Sequence, residues 1–99
     1  MDFSLEIKSF KLKKAELVLQ ALNHPLRQKI LAFIHTHTDV RVTTIQEQLH
    51  LEQTVTSQHL SILRKAGFVE SRREGKHVFY SINYPKLEQV QNSIKNLLD

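Results

Sequence analysis

A chain of 99 residues makes one domain of ordinary size, about 100 to 200 residues, and leaves no room to set a catalytic domain beside a binding domain. Fourteen Lys and Arg against ten Asp and Glu give a formal charge of +4 and a pI near 9.6, which favours an acidic or phosphate-bearing partner over a basic one. The absence of cysteine excludes disulfides, thiolate metal sites and thiol redox sensing together. The longest apolar run, Ile30 to Ile34, is far below the ~18 residues of a membrane span, and no signal-peptide h-region opens the chain, so a soluble, cytoplasmic protein is expected.

Two Gly and two Pro each mark a boundary, no repeat is evident, and the joins must be short. Phe10 to Leu22 is apolar at Phe10, Leu12, Ala15, Leu17, Val18, Leu19, Ala21 and Leu22, more than one stripe of a 3.6-residue period holds. A helix with two apolar faces buries two, so the second is expected against another subunit. Residues 2–9 read either as an extension of this helix or as an ordered arm. Pro25 suits the first turn of the next helix, behind a cap at Asn23 or His24, and Leu26, Ile30, Phe33 and Ile34 form its buried stripe, which ends in the polar HTHTD. A short strand is expected around Val40 to Val42. Thr43 and Gln46 have the spacing of a capping box, the hydroxyl accepting from the amide of Gln46 and the Gln46 side chain reaching back. That box would open a short helix buried through Ile45, Leu49 and Leu51. After a turn of about three residues a further helix runs from Gln53 or Thr54 to Ala66, stopped by Gly67 at the C′ position.

Two short helices so closely joined make a helix-turn-helix, whose second helix can protrude. At about 100° per residue, Thr54, Ser57, Gln58, Ser61 and Lys65 fall on one arc and Val55, Leu60, Ile62, Leu63 and Ala66 on the opposite side. Small hydroxyls, an amide and a cation can approach base edges without steric conflict. Beyond Gly67 the period changes to two, with Phe68 and Val69 leading through Glu74 and Gly75 to Val78, Tyr80 and Ile82, a hairpin turning at Gly75. Arg64, Lys65, Arg72, Arg73 and Lys76 face only Glu70 and Glu74 between residues 64 and 76, so most of the net charge falls at the end of the exposed helix and on the hairpin tip. From Pro85 a final helix places Leu87, Val90, Ile94, Leu97 and Leu98 on one stripe, again broad for so small a domain. The fold class expected is mainly α with a small β hairpin: about five helices and a two- or three-stranded wing.

The stretches ALNHPLRQKIL and LEQTVTSQHLSILRKAGFVESRREGKHVFYSI resemble the ArsR-type winged-helix repressors, which carry alanine-leucine, two residues, proline, then arginine and isoleucine-leucine, and later a serine-x-histidine-leucine helix ending in alanine-glycine. The resemblance spans about residues 10 to 98. It implies a homodimeric, sequence-specific DNA-binding repressor that an inducer releases from its operator. Carried over to this chain, Gln53, Thr54, Ser57 and Gln58 would approach bases, Arg72, Arg73 and Lys76 would meet phosphates or the minor groove, and the first and last helices would form the dimer contact. Metal-sensing members carry cysteines in the helix matching Thr43 to His50, or an aspartate and histidines on the last helix; here those segments read TTIQEQLH and YPKLEQVQNSIKNLLD. No metal ligand set, cofactor or thiol switch is therefore expected, and the effector stays unidentified.

The remaining candidates have plainer readings. His35 and His37, two apart near a helix end, would need further ligands to hold zinc, whereas at a helix C-terminus an imidazole simply meets the negative end of the dipole. His59 falls within the apolar arc of its helix and reads as a packed histidine; His24 serves a helix start. Lys8, Lys11, Lys13 and Lys14 read as a solvated helix face. Arginines and lysines on a hairpin tip can be only a guard against strand aggregation, but beside an exposed hydroxyl and amide helix they read as phosphate contacts. Ser57 and His59 point about 160° apart and form no catalytic pair, so no enzymatic activity is expected. The domain expected over residues 1–99 comprises dimerisation helices at 10–22 and 84–98, a helix-turn-helix at 43–66 and a wing at 68–82. Its DNA-binding set is Gln53, Thr54, Ser57, Gln58, Ser61, Lys65, Arg72, Arg73 and Lys76, reading double-stranded DNA at a near-palindromic operator with half-sites about 34 Å apart. The competing readings are a protein-binding winged helix without an operator, and a histidine-based metal sensor.

Overall fold

A computed structural model of the chain describes residues 16–98, with side chains through residue 96. The expectations for residues 2–15, including the lysine run, and for the side chains of Leu97 and Leu98 lie outside the described residues. Residues 16–22 are helical (α1), followed by α2 (Pro25–His37), β1 (Asp39–Arg41), α3 (Val42–Leu49), α4 (Gln53–Lys65), β2 (Val69–Glu74), β3 (His77–Ile82) and α5 (Tyr84–Leu98). The strands form one antiparallel sheet in the order β1-β3-β2, so the short strand before α3 pairs with the far edge of the hairpin.

Local chemistry sets each boundary. His24 is extended and its Nδ1 accepts from the amide of Leu26 at 3.1 Å, one of the orphan donors of a helix start, and Pro25 follows at the first helical position. The carbonyls left open at the end of α1 are taken by Arg27, whose Nε donates to Ala21 at 2.7 Å and Nη2 to Gln20 at 3.1 Å. His50 adopts the left-handed conformation (φ 55°) and its amide donates to Gln46, which turns α3 into α4 within three residues. At the end of α4, Gly67 (φ +89°) donates to Arg64 and Phe68 to Leu63, at 3.0 and 2.9 Å, the paired bonds of a Schellman motif. Its hydrophobic contact is supplied by Leu63 and Phe68, both fully buried. Asn83 accepts from the amide of Lys86 through its side chain at 3.2 Å and so opens α5 one residue before the proline boundary read from sequence.

The core lies where α2, α3, α4 and one face of the sheet converge, with Ile30, Ile34, Ile45, Leu60, Leu63 and Phe68 sealed from solvent. Val40, Val69 and Ile82 close it from the sheet, and Leu87 and Val90 of α5 pack on its side. Of α1, Ala21 is buried while Leu17 is 58% exposed and Leu19 37%.

Three expectations need correction. The capping box at Thr43 does not form: α3 begins at Val42, its N-cap is Arg41, and no side chain caps it. Arg41 is paired with Phe79 at the end of β1, so the chain passes from strand to helix without a loop and Thr43 is already inside the first turn. By the same shift the strand runs Asp39–Arg41 rather than Val40 to Val42. The buried arc of α4 is centred on Thr56, Leu60 and Leu63, which turns Ile62 outward, at 41% exposure, instead of into the core. Thr56 tolerates full burial because its hydroxyl donates to the Glu52 carbonyl one turn back, at 2.9 Å.

Candidate nucleic-acid interface

The outward side of α4 is an open concavity lined by Gln53, Thr54, Ser57, Gln58, Ser61 and Ile62. Gln53, Thr54, Ser57 and Gln58 are exposed, Ser61 is half-buried, and Lys65 continues the exposed side towards the helix end. None of these side chains is drawn into a hydrogen bond with another described residue, so their donors and acceptors face solvent. A second concavity adjoins the first, where α3 and the start of α4 meet the hairpin; Arg41, Thr43, Gln46, Lys76, His77 and Tyr80 line it together with Gln53 and Ser57. Lys76, Gln53 and Ser57 belong to the DNA-binding set expected from sequence; Arg41, Thr43, Gln46, His77 and Tyr80 do not. Thr43 and Gln46 have the spacing of a capping box and Tyr80 falls on the apolar face of a strand, while Arg41 and His77 carry no local signal.

The hairpin closes through a two-residue turn, Gly75-Lys76, between paired Glu74 and His77. Gly75 has φ +60° and Lys76 has no positive φ, the pattern of a type II′ turn, whose twist matches the flanking strands. The tip therefore carries Lys76, while Arg72 and Arg73 lie back within β2 opposite Phe79 and Val78, which corrects their placement at the tip. Because side chains alternate along a strand, the two arginines occupy opposite faces of the sheet. Arg73 shares the face of Val78, which borders the second concavity. Arg72 lies on the other face, with its guanidinium 4.7 Å from the Phe79 ring centre and in ion pairs with Asp39 of β1 and Glu74 of its own strand. The hydrogen bond to Asp39 pushes the Arg72 pKa upward. All three partners are exposed, so the pairs can exchange for other anions at small cost.

Four of the six histidines, His24, His35, His37 and His59, have side-chain partners among the described residues. His35 Nδ1 is hydrogen-bonded to the Tyr84 hydroxyl at 2.8 Å, and His37 Nδ1 donates to the Phe33 carbonyl at 2.8 Å. Among the described residues no group of three or more His, Cys, Asp or Glu is placed to hold a metal ion. His59 leaves the outward side of α4 and meets Arg27 (Nη1 to Nδ1, 3.3 Å) and the ring of His24 (centroids 4.8 Å apart). Burial, then the neighbouring His24 and Arg27, hold its pKa below the ordinary 6.5, so the neutral ring accepts from the guanidinium.

Residues 24–71 match the family described as "Bacterial regulatory protein, arsR family". The chain is 37% identical over 90 residues to the transcriptional repressor PagR of Bacillus anthracis, covering 91% of this chain and 88% of that protein. The crystal structure of PagR superposes with a TM-score of 0.68, covering 92% of this chain and 99% of that one at 34% identity. The transcriptional activator HlyU of Vibrio cholerae is 34% identical over 78% of this chain and 70% of its own length. An ArsR-like transcriptional regulator from Rhodococcus sp. RHA1 has a TM-score of 0.78 over 88% of this chain and 81% of its own, at 21% identity, a likeness of fold.

Proposed function

The chain belongs to the arsR family of bacterial regulatory proteins and is a transcriptional regulator, not an enzyme; from that premise we propose that it is a cytoplasmic, dimeric repressor that reads a near-palindromic operator with α4. The observation that carries this reading is the side of α4 whose hydroxyls and amides are exposed and unspent within the fold. Laid in the major groove, Gln53, Thr54, Ser57, Gln58 and Ser61 would contact base edges. Lys65, Arg73 and Lys76 would meet phosphates and supply most of the affinity and its salt dependence. Arg72 would reach a phosphate only by exchanging its two carboxylate partners, so its share is smaller.

Residues 1–99 would act as a single winged-helix domain, paired with a second copy through helices 10–22 and 84–98. Support comes from the exposure of Leu17 on α1, 58%, an apolar side chain that a subunit contact would cover. Twofold symmetry then sets half-sites about one helical turn, ~34 Å, apart. Release from the operator would involve an effector that acts without thiol chemistry, since the chain has no cysteine. Repression, rather than activation, is favoured by the likeness to PagR, a transcriptional repressor. Among the described residues no helix is long and apolar enough to cross a membrane.

The test is selection of bound fragments from genomic DNA followed by footprinting. Gln58→Ala should relax preference at one position, whereas Arg73→Ala should weaken all sequences alike and lower the salt slope by about one. Equal losses on every sequence for Gln58→Ala would count against base reading by that residue. The absence of any footprint would favour a winged helix that binds protein instead.

A further inference from the structure

Ile62 is an isoleucine on a surface otherwise built from hydroxyls and amides. It is 41% exposed, whereas its neighbours Leu60 and Leu63 are 1% and 0% exposed, so the core does not account for it. Among the described residues the other large exposed apolar side chains, Leu17, Leu19 and Tyr84, stand on α1 and α5; of these four Ile62 alone lines the concavity of α4. Thr54, Gln58 and Ile62 follow one another at four-residue spacing, one helical turn each, and so form a continuous ridge along that side.

The only apolar group that the base edges of the major groove present is the 5-methyl of thymine. Resting on the DNA reading proposed above, we propose that Ile62 is a specificity-determining residue that packs against a thymine methyl, selecting A·T over G·C at one position of each half-site. Gln58 and Ile62 are about 6 Å apart along the helix, close to two base steps of about 3.4 Å. The thymine therefore lies about two base pairs from the position that Gln58 reads. The polar residues of α4 choose by hydrogen bonding and Ile62 chooses by shape.

The experiment uses the full chain and the fragment selected from genomic DNA, with each thymine replaced in turn by deoxyuridine, which removes only the methyl group. For the unaltered protein, one thymine per half-site should show about fourfold weaker binding, the equivalent of one methyl-sized apolar contact. Ile62→Ala should bind the thymine operator about as weakly as the unaltered protein binds the deoxyuridine one, and should show no difference between the two. Ile62→Val should keep part of the difference. A melting temperature for Ile62→Ala equal to that of the parent chain confirms that the change acts at the interface. Indifference of the unaltered protein to every deoxyuridine, or a thymine preference that survives intact in Ile62→Ala, overturns the inference while leaving DNA binding standing. If no fragment is selected above non-specific binding, the DNA reading itself fails, a result distinct from either of these.

Discussion

Replacing Arg27 by methionine keeps the bulk of an extended side chain and removes every donor of the guanidinium. Three contacts are lost together: Nε to the Ala21 carbonyl at 2.7 Å, Nη2 to the Gln20 carbonyl at 3.1 Å, and Nη1 to His59 Nδ1 at 3.3 Å. The Gln20 bond is exposed, and water replaces it at little cost. The other two are half-buried, and hydrogen bonds from a charged donor contribute about 1.5–3 kcal/mol each, less where water can substitute. A loss of about 2–3 kcal/mol follows, which for a domain of this size lowers Tm by roughly 10–20 °C. Thermal and urea unfolding at one fixed protein concentration measure it, since Tm would move with concentration in the proposed dimer. A double-mutant cycle with His59→Ala separates the ring contact from the carbonyl contacts, and coupling of at least ~0.5 kcal/mol is expected for groups in direct contact. A variant within about 0.5 kcal/mol of the parent, or zero coupling to His59, would refute the reasoning, because a single cation would then not hold the end of α1 to the side of α4.

His59 itself predicts a pH dependence. Its pKa is held below 6.5 in the folded chain by burial first and then by His24 and Arg27, so the unfolded chain takes up a proton before the folded chain does. The stability linked to it is fully present above pH 6.5 and is lost as pH falls from there through the folded value; His59→Gln should flatten that part of a stability-against-pH curve, and an unaltered curve would contradict the assignment. Gly67→Ala should cost about 1–2 kcal/mol from backbone strain alone: the new Cβ would meet only the flexible Lys86 side chain, at 3.5 Å, while φ stays at +89°. Chemical denaturation measures it, and a neutral result would mean that the α4 terminus is not left-handed. The double change Asp39→Ala/Glu74→Ala should leave stability within about 1 kcal/mol, as for exposed pairs generally, yet tighten binding to any DNA and steepen its salt slope by freeing Arg72 of both carboxylates. Titration at several salt concentrations tests this, and an unchanged slope would show that Arg72 never faces phosphate.

Where a boundary depends on residues next to each other in the chain, the sequence is sufficient. His24 before Pro25, Gly67 after α4 and Gly75 in the hairpin each announce themselves, because capping bonds and positive φ are local demands. The exposed hydroxyl and amide side of α4 was legible for the same reason, since helical periodicity needs only the residues of the helix. What escaped depends on partners distant in sequence or on bonds that hydropathy does not register. Thr56 reads as polar, yet its hydroxyl is satisfied within its own helix, so it joins the core and rotates the buried arc away from Ile62. Thr43 and Gln46 have the spacing of a capping box, but β1, held by β3 from the far end of the domain, delivers the chain into α3 one residue early. Charge counting found Arg72 and could not find Asp39, 33 residues away, which occupies it.

The junctions on either side of the sheet leave almost no slack. β1, hydrogen-bonded to β3, runs straight into α3, and α4 is joined to β2 through the paired bonds around Leu63 and Phe68, so each strand of the hairpin is linked to one of the helices beside the concavity it borders. The wing and α4 are therefore joined by backbone hydrogen bonds with only three residues between them. On the DNA reading proposed above, a signal that lowers affinity would find no loop to bend between α4 and β2 and would have to shift the two together.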